Sequence, residues 1–240
     1  MKLNIQTLLI WCLLNILAIP QLFAQDIIII PNTFVSYRDF EYSVANGGVD
    51  GTIKSVGLGI TGIYDRFYIN LSGERTPSAS EEATKNLFSP KVDFERTDFA
   101  ASFGYAVTDS ISTFLGYKYG KTTIAELSSS SFAGLKTSLE GKGLYAGIGG
   151  GWQVKEWGTF SFSAAYALMD ATYRDLFFDI AQGDASGTSL GIKWKAPLTE
   201  KLFYDVSLMQ HNYYYKNFDK SESDISEQIL SIRLGLSYQF

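Results

Sequence analysis

From Leu230 to Phe240 every second residue is large and apolar, with Ser231, Arg233, Gly235, Ser237 and Gln239 between them. A period of two is the mark of a β-strand with one apolar face. The alternation returns along the chain, in Val56, Leu58 and Ile60, in Phe67, Ile69 and Leu71, and in Phe99, Ala101, Phe103, Tyr105 and Val107. It continues through residues 113–119, 144–154, 160–168, 190–194 and 202–208. The count comes to about ten strands, most near the roughly 9–11 residues that a tilted strand needs to cross a bilayer. The first, near residues 33–43, is the least regular.

The N-terminus stands apart. Lys2 precedes an apolar run over residues 8–18 interrupted only by Asn15, and Leu22, Phe23 and Ala24 lead to Gln25. This pattern predicts a secretory signal peptide over residues 1–24, leaving a single barrel domain over residues 25–240. The run is short of the roughly 20 apolar residues of a membrane-spanning helix. Cys12, the one cysteine, lies within it, so no disulfide and no cysteine-based metal site is expected in the mature chain. Losing Lys2 moves the net charge from −5 to about −6, and an acidic exported chain without a basic stripe is no nucleic-acid partner.

The two faces of the strands separate a membrane barrel from a soluble one. One face is dense in Leu, Ile, Phe and Tyr; the other carries Gly, Ser, Asn and scattered charges of both signs. That is a lipid-facing exterior over a polar lumen, whereas a soluble barrel needs a charged exterior. Connections are short at residues 64–66, 108–110, 155–158 and 197–201, and long near residues 44–51, 77–92, 126–137, 174–185 and 217–224. Short turns at one end and long loops at the other are the plan of an outer-membrane barrel, with short turns in the periplasm. Of the five prolines, Pro31 falls before the first strand and Pro197 in a turn, away from strand interiors. Tyr64, Phe67, Tyr105, Trp152, Phe160, Trp194, Tyr204 and Tyr238 fall near strand ends, where amphipathic rings favour the interface. The expectation is an all-β, transmembrane, antiparallel up-and-down β-barrel of about ten strands, with eight or twelve as alternatives. It would sit in the bacterial outer membrane with both termini periplasmic, against lipid and lipopolysaccharide.

The last strand carries a resemblance. Ile232, Leu234, Leu236, Tyr238 and Phe240 resemble the C-terminal signature of bacterial outer-membrane β-barrel proteins. The resemblance implies that the barrel-assembly machinery recognises this strand and that it closes against the first. It also implies a barrel without the appended periplasmic domain of OmpA-type proteins.

Candidate chemistry lies in the lumen. Strand parity assigns Lys54, Arg96, Lys118, Lys193, Lys195 and Arg233 to it, with Glu74, Asp98, Asp205 and the lone His211. Such charges must pair or be wetted, so they form either a plug or a narrow pore biased toward anions. The chain is similar in strand number to the omptin proteases, which use an Asp–His pair and an Asp pair. Here Gln210 and Asn212 flank His211, and Ser207, four positions away, is too far along a strand to form a nucleophile–base pair. His211 is therefore read as a hydrogen-bonded lumen residue, with no catalytic set. Asp219, Glu222, Asp224 and Glu227 form a solvated acidic loop lacking calcium-loop spacing. Ser128 to Ser131 form a loop tip. No metal site and no cofactor are expected. The role expected is structural, adhesive or recognition through the long loops, toward a ligand that the sequence does not name. The alternatives are a narrow pore for small solutes and, third, a hydrolase using His211.

Overall fold

The computed structural model describes residues 27–44, 47–77, 79–81, 92–126, 136–174, 180–219 and 224–240. The signal peptide, Ser128 to Ser131 and Glu222 lie outside the described residues.

The strands are β1 (Ile27–Val44), β2 (Gly47–Tyr64), β3 (Phe67–Arg75), β4 (Ala79–Glu81), β5 (Val92–Ala106), β6 (Ile111–Glu126), β7 (Lys136–Gln153), β8 (Thr159–Arg174), β9 (Ile180–Pro197), β10 (Leu202–Lys216) and β11 (Ile225–Tyr238). Each pairs antiparallel with its neighbour, β3 pairs with β5, and β1 pairs with β11 from Asn32–Ser237 to Val44–Ile225. The described residues thus form a closed barrel of ten strands. The three-residue β4 continues the line of β3 after a break and pairs with β5 at Ala79–Phe94. Closure leaves no edge in lipid, where an unpaired N–H or C=O has no water to turn to.

Apart from β3, the barrel strands run 14 to 18 residues, beyond the expected crossing length. The reason is a reversal of pattern within single strands. Toward the short-turn end β1 points Val35 and Tyr37 outward, exposed, and buries Ser36; further along, Asp39 and Glu41 face out and Phe40 and Tyr42 are buried. β2 does the same, with Val56 and Leu58 outside and then Lys54 outside over a buried Ile53. On β11, Ile232, Leu234 and Leu236 face out, whereas nearer the long-connection end Gln228 faces out and Ile225 and Ile229 are buried. The barrel is therefore two barrels end to end. One half has an apolar skin, as lipid requires; the other has an apolar core and a polar skin, as water requires. Phe40, Phe94, Leu139, Met169, Tyr213 and Tyr215 belong to that core.

Three expectations are corrected. Lys54 does not face the lumen: it is exposed between the buried Ile53 and Ser55, in the half where an outward charge sits in water. Pro31 lies within β1, just before the ladder to β11 begins at Asn32. The loop expected over residues 44–51 is largely strand, since β1 reaches Val44 and β2 starts at Gly47.

Candidate functional site

Where the two halves meet, strand alternation aims charged side chains inward from four strands. Arg38 on β1 pairs with Glu74 on β3, and with Asp98 on β5 at 2.7 Å. Glu74 also receives Arg233 of β11 at 2.5 Å, Ser55 at 2.5 Å and Ser36. Arg96 clamps Asp98 with both oxygens engaged, at 2.8 Å and 2.9 Å, and reaches Glu227 of β11 at 2.7 Å. Thr122 accepts from Arg96 and donates to Glu227, both at 2.7 Å, and Tyr215 donates to the other Glu227 oxygen at 3.2 Å. The result is a chain of alternating sign, Arg233–Glu74–Arg38–Asp98–Arg96–Glu227. Its three guanidinium groups and three carboxylates cancel. Charge-assisted and bidentate bonds of this kind are the strong ones, and they meet the requirement that buried ions be paired. Arg38, Glu74, Arg96 and Glu227 are all buried.

The lattice is a floor for the apolar core on one side and a ceiling for a cavity on the other. That cavity measures about 840 Å³ and runs from Arg38, Glu74 and Arg96 to Thr108, Asp109, Ser110 and Gln153 at the short turns. Its mouth is wet: Lys193, inward-facing, is half exposed and lies 4.0 Å from Asp205. Lys195 rests over the Phe203 ring at 4.3 Å. Near the ceiling, Lys118 of β6 donates to the Tyr213 hydroxyl and lies 4.6 Å from that ring's centre. His211 of β10 stacks on Tyr213 and its Nδ1 is 2.7 Å from the hydroxyl of Ser189, its facing partner on β9.

Inward rings rest on inward glycines of the next strand. A methyl on Gly187 would meet the Tyr213 ring at 2.3 Å, and one on Gly57 would meet Phe34 at 2.2 Å. Close approach of this kind is what glycine supplies in a narrow barrel.

Of the residues predicted for the lumen, Glu74, Arg96, Asp98 and Arg233 come together in the lattice, Lys118, Lys193, Asp205 and His211 line the cavity, and Lys195 lies over Phe203 outside that lining. Lys54 joins neither. Three residues of the site lie outside the predicted set. Arg38 lies on β1, where the reversal hides the period. Glu227 is expected in a solvated loop, yet it lies buried on β11, and counting back in twos from Arg233 reaches it. Ser189 contacts His211 across strands, a proximity that no spacing along one strand encodes. Ile232, Leu234, Leu236 and Tyr238 face outward on β11, and the terminal Phe240 donates its N–H to Ile29 O at 3.0 Å and packs against Tyr238. Outward aromatics cluster at the short-turn end, with Trp194 between Phe160 and Tyr204 and Phe67 against Tyr105. Among the described residues no group of three or more His, Cys, Asp or Glu gathers as metal ligands.

No known protein family matches the chain by sequence, and no curated protein does. Solved structures do match in shape. The outer-membrane protease OmpT of Escherichia coli superposes with a TM-score of 0.58 at 10% identity, over 90% of this chain and 97% of that one. The translocator domain of the autotransporter NalP of Neisseria meningitidis gives 0.48 at 13% identity, over 94% of each chain. Ail of Yersinia pestis gives 0.37 at 10% identity, over 88% of this chain and 99% of that one. The likeness to OmpT is one of fold: this chain is a ten-stranded barrel of the bacterial outer-membrane type.

Proposed function

We propose that this chain is a closed, non-enzymatic barrel of the bacterial outer membrane, with its short turns and both termini in the periplasm. It would serve envelope structure, adhesion or recognition through the connections at its other end. The observation that carries this reading is the double closure of the lumen, by a self-neutral ion lattice and by the apolar core behind it. A water-filled pore needs a continuous wetted path; the buried lattice fills it and the apolar core behind excludes water, which weighs against an anion-biased channel. In this reading the outward apolar band contacts lipid and lipopolysaccharide, and the last strand serves the barrel-assembly machinery. Mature protein refolded and inserted into planar bilayers is expected to give no current steps. Discrete single-channel steps from protein whose folded band shifts on heating would overturn the closed-barrel reading.

A second reading rests on one contact. Ser189 and His211 lie at nucleophile–base distance beside a wet cavity, the arrangement that activates a serine. Incubation with a fluorophosphonate should leave Ser189 unlabelled if the closed barrel is inert; covalent labelling lost in His211→Ala would make the chain a hydrolase.

A further inference from the structure

We propose that the cavity at the short-turn end is a binding site for a hydroxylated organic anion, of the chemical class of a sugar phosphate, with its charged group near Lys118. The lattice above the cavity uses up its own charge, three arginines against three carboxylates. Below it the cavity is lined by Lys118 and Lys193 with two carboxylates, Asp205 at 4.0 Å from Lys193 and Asp109 at the short turns, away from Lys118. That leaves Lys118 with a field that no carboxylate beside it cancels. Low-dielectric walls focus that field into the cup.

Lys118 is the cation of the lining left without a counter-ion. It is half-buried, held by the Tyr213 hydroxyl and by the Tyr213 and Tyr145 rings, and no carboxylate of the described residues lies within ion-pair distance of it. An ammonium drawn out of water without an anion is costly, and the cavity is the space beside it from which an anion can approach.

The walls specify the rest of the ligand. Asn70, Ser102, Ser112 and Ser163 present amide and hydroxyl groups, each able to donate and accept. Tyr68 and Tyr145 add ring faces that pack against the C–H face of a sugar. A cavity of about 840 Å³ falls within the range of small-molecule sites. It opens at the short turns and is closed at its far end, so it is a cup and not a conduit. The inference goes beyond the proposed function and does not depend on it, since a cup can bind whether or not the outer connections recognise anything.

The test is calorimetric titration of the folded mature chain in detergent, with glucose 6-phosphate as probe and with glucose and inorganic phosphate in parallel. Glucose 6-phosphate is expected to bind about tenfold or more tightly than either half alone. Lys118→Met should weaken it by about tenfold, as losing a charge partner at a desolvated contact does. Lys193→Met, at the wet mouth, should weaken it less, and Lys54→Met, on the outer surface, should leave it unchanged. Should Lys118→Met fail to fold, the Lys193→Met and Lys54→Met pair decides: equal affinity in both refutes the site. Equal affinity for inorganic phosphate and glucose 6-phosphate would reduce the cup to an inorganic-anion site and overturn the proposal. So would the absence of heat with all three probes. Neither result bears on conductance, which tests closure separately.

Discussion

Glu74 is the residue on which most depends. Two arginines and two serines converge on one carboxylate that is almost wholly out of water. Replacing it by glutamine keeps the shape and removes the charge, leaving Arg233 without its carboxylate and Arg38 with Asp98 alone. Breaking a buried pair by removing one partner costs about 3–5 kcal/mol. Glu74→Gln is therefore expected to lower the urea midpoint of the folded band by that free energy, while Lys54→Gln, exposed on the outer face, stays within about 0.5 kcal/mol of the parent. An unchanged midpoint in Glu74→Gln would mean that the lattice is held by its hydrogen bonds and not by its charges. At this scale the sequence was legible wherever parity could be counted from a clean strand. Arg96 and Asp98 follow from Phe99 and Phe103 in one strand, and Arg233 from Leu234. Ser189 was invisible for a different reason: its partner lies 22 positions away, and a facing pair is decided by register, which alternation alone does not set.

Among the elements, β1 explains why the first segment read as the least regular. Val35 and Tyr37 are odd-numbered and face out; Phe40 and Tyr42 are even-numbered and face in. A reader looking for one apolar face sees the period break between them, yet the strand continues without a bulge in its pairing to β2 and β11. What changes is the solvent outside and hence the sign of the preference, not the backbone. The same reversal lengthened the strands beyond expectation, while Lys54 faces out because it shares the parity of the outward Val56 and Leu58. It also gives a test within one strand. Leu234 and Gln228 both face out from β11. Leu234→Arg, in the apolar band, should destabilise by about 2–4 kcal/mol, as arginine on a lipid face near mid-depth does, whereas Gln228→Arg should cost about 0–1 kcal/mol. Equal costs at the two positions would erase the boundary between the halves.

Taken whole, the molecule closes its lumen twice by unlike means, and the conductance expectation belongs to this scale. Phe40 and Phe94 meet edge to face at 5.3 Å in the apolar half, so shaving either ring loosens the core but leaves the ion lattice across the lumen. The barrel class was legible because lipid imposes one strict rule on a whole surface. The cup and its closure were not, because they depend on which inward side chains meet across the barrel from strands far apart in sequence. The reversed half has a mechanical consequence. On β1 the last outward apolar ring is Tyr37, and the strand runs on to Val44. At about 3.3 Å per residue and a tilt near 40°, that stretch is a rigid pedestal about 18 Å tall. In the proposed orientation the connections spring from its rim, not from the bilayer surface. A partner would meet them at the level of the lipopolysaccharide sugars, and their sequences could diversify there without disturbing the part of the molecule that floats in lipid.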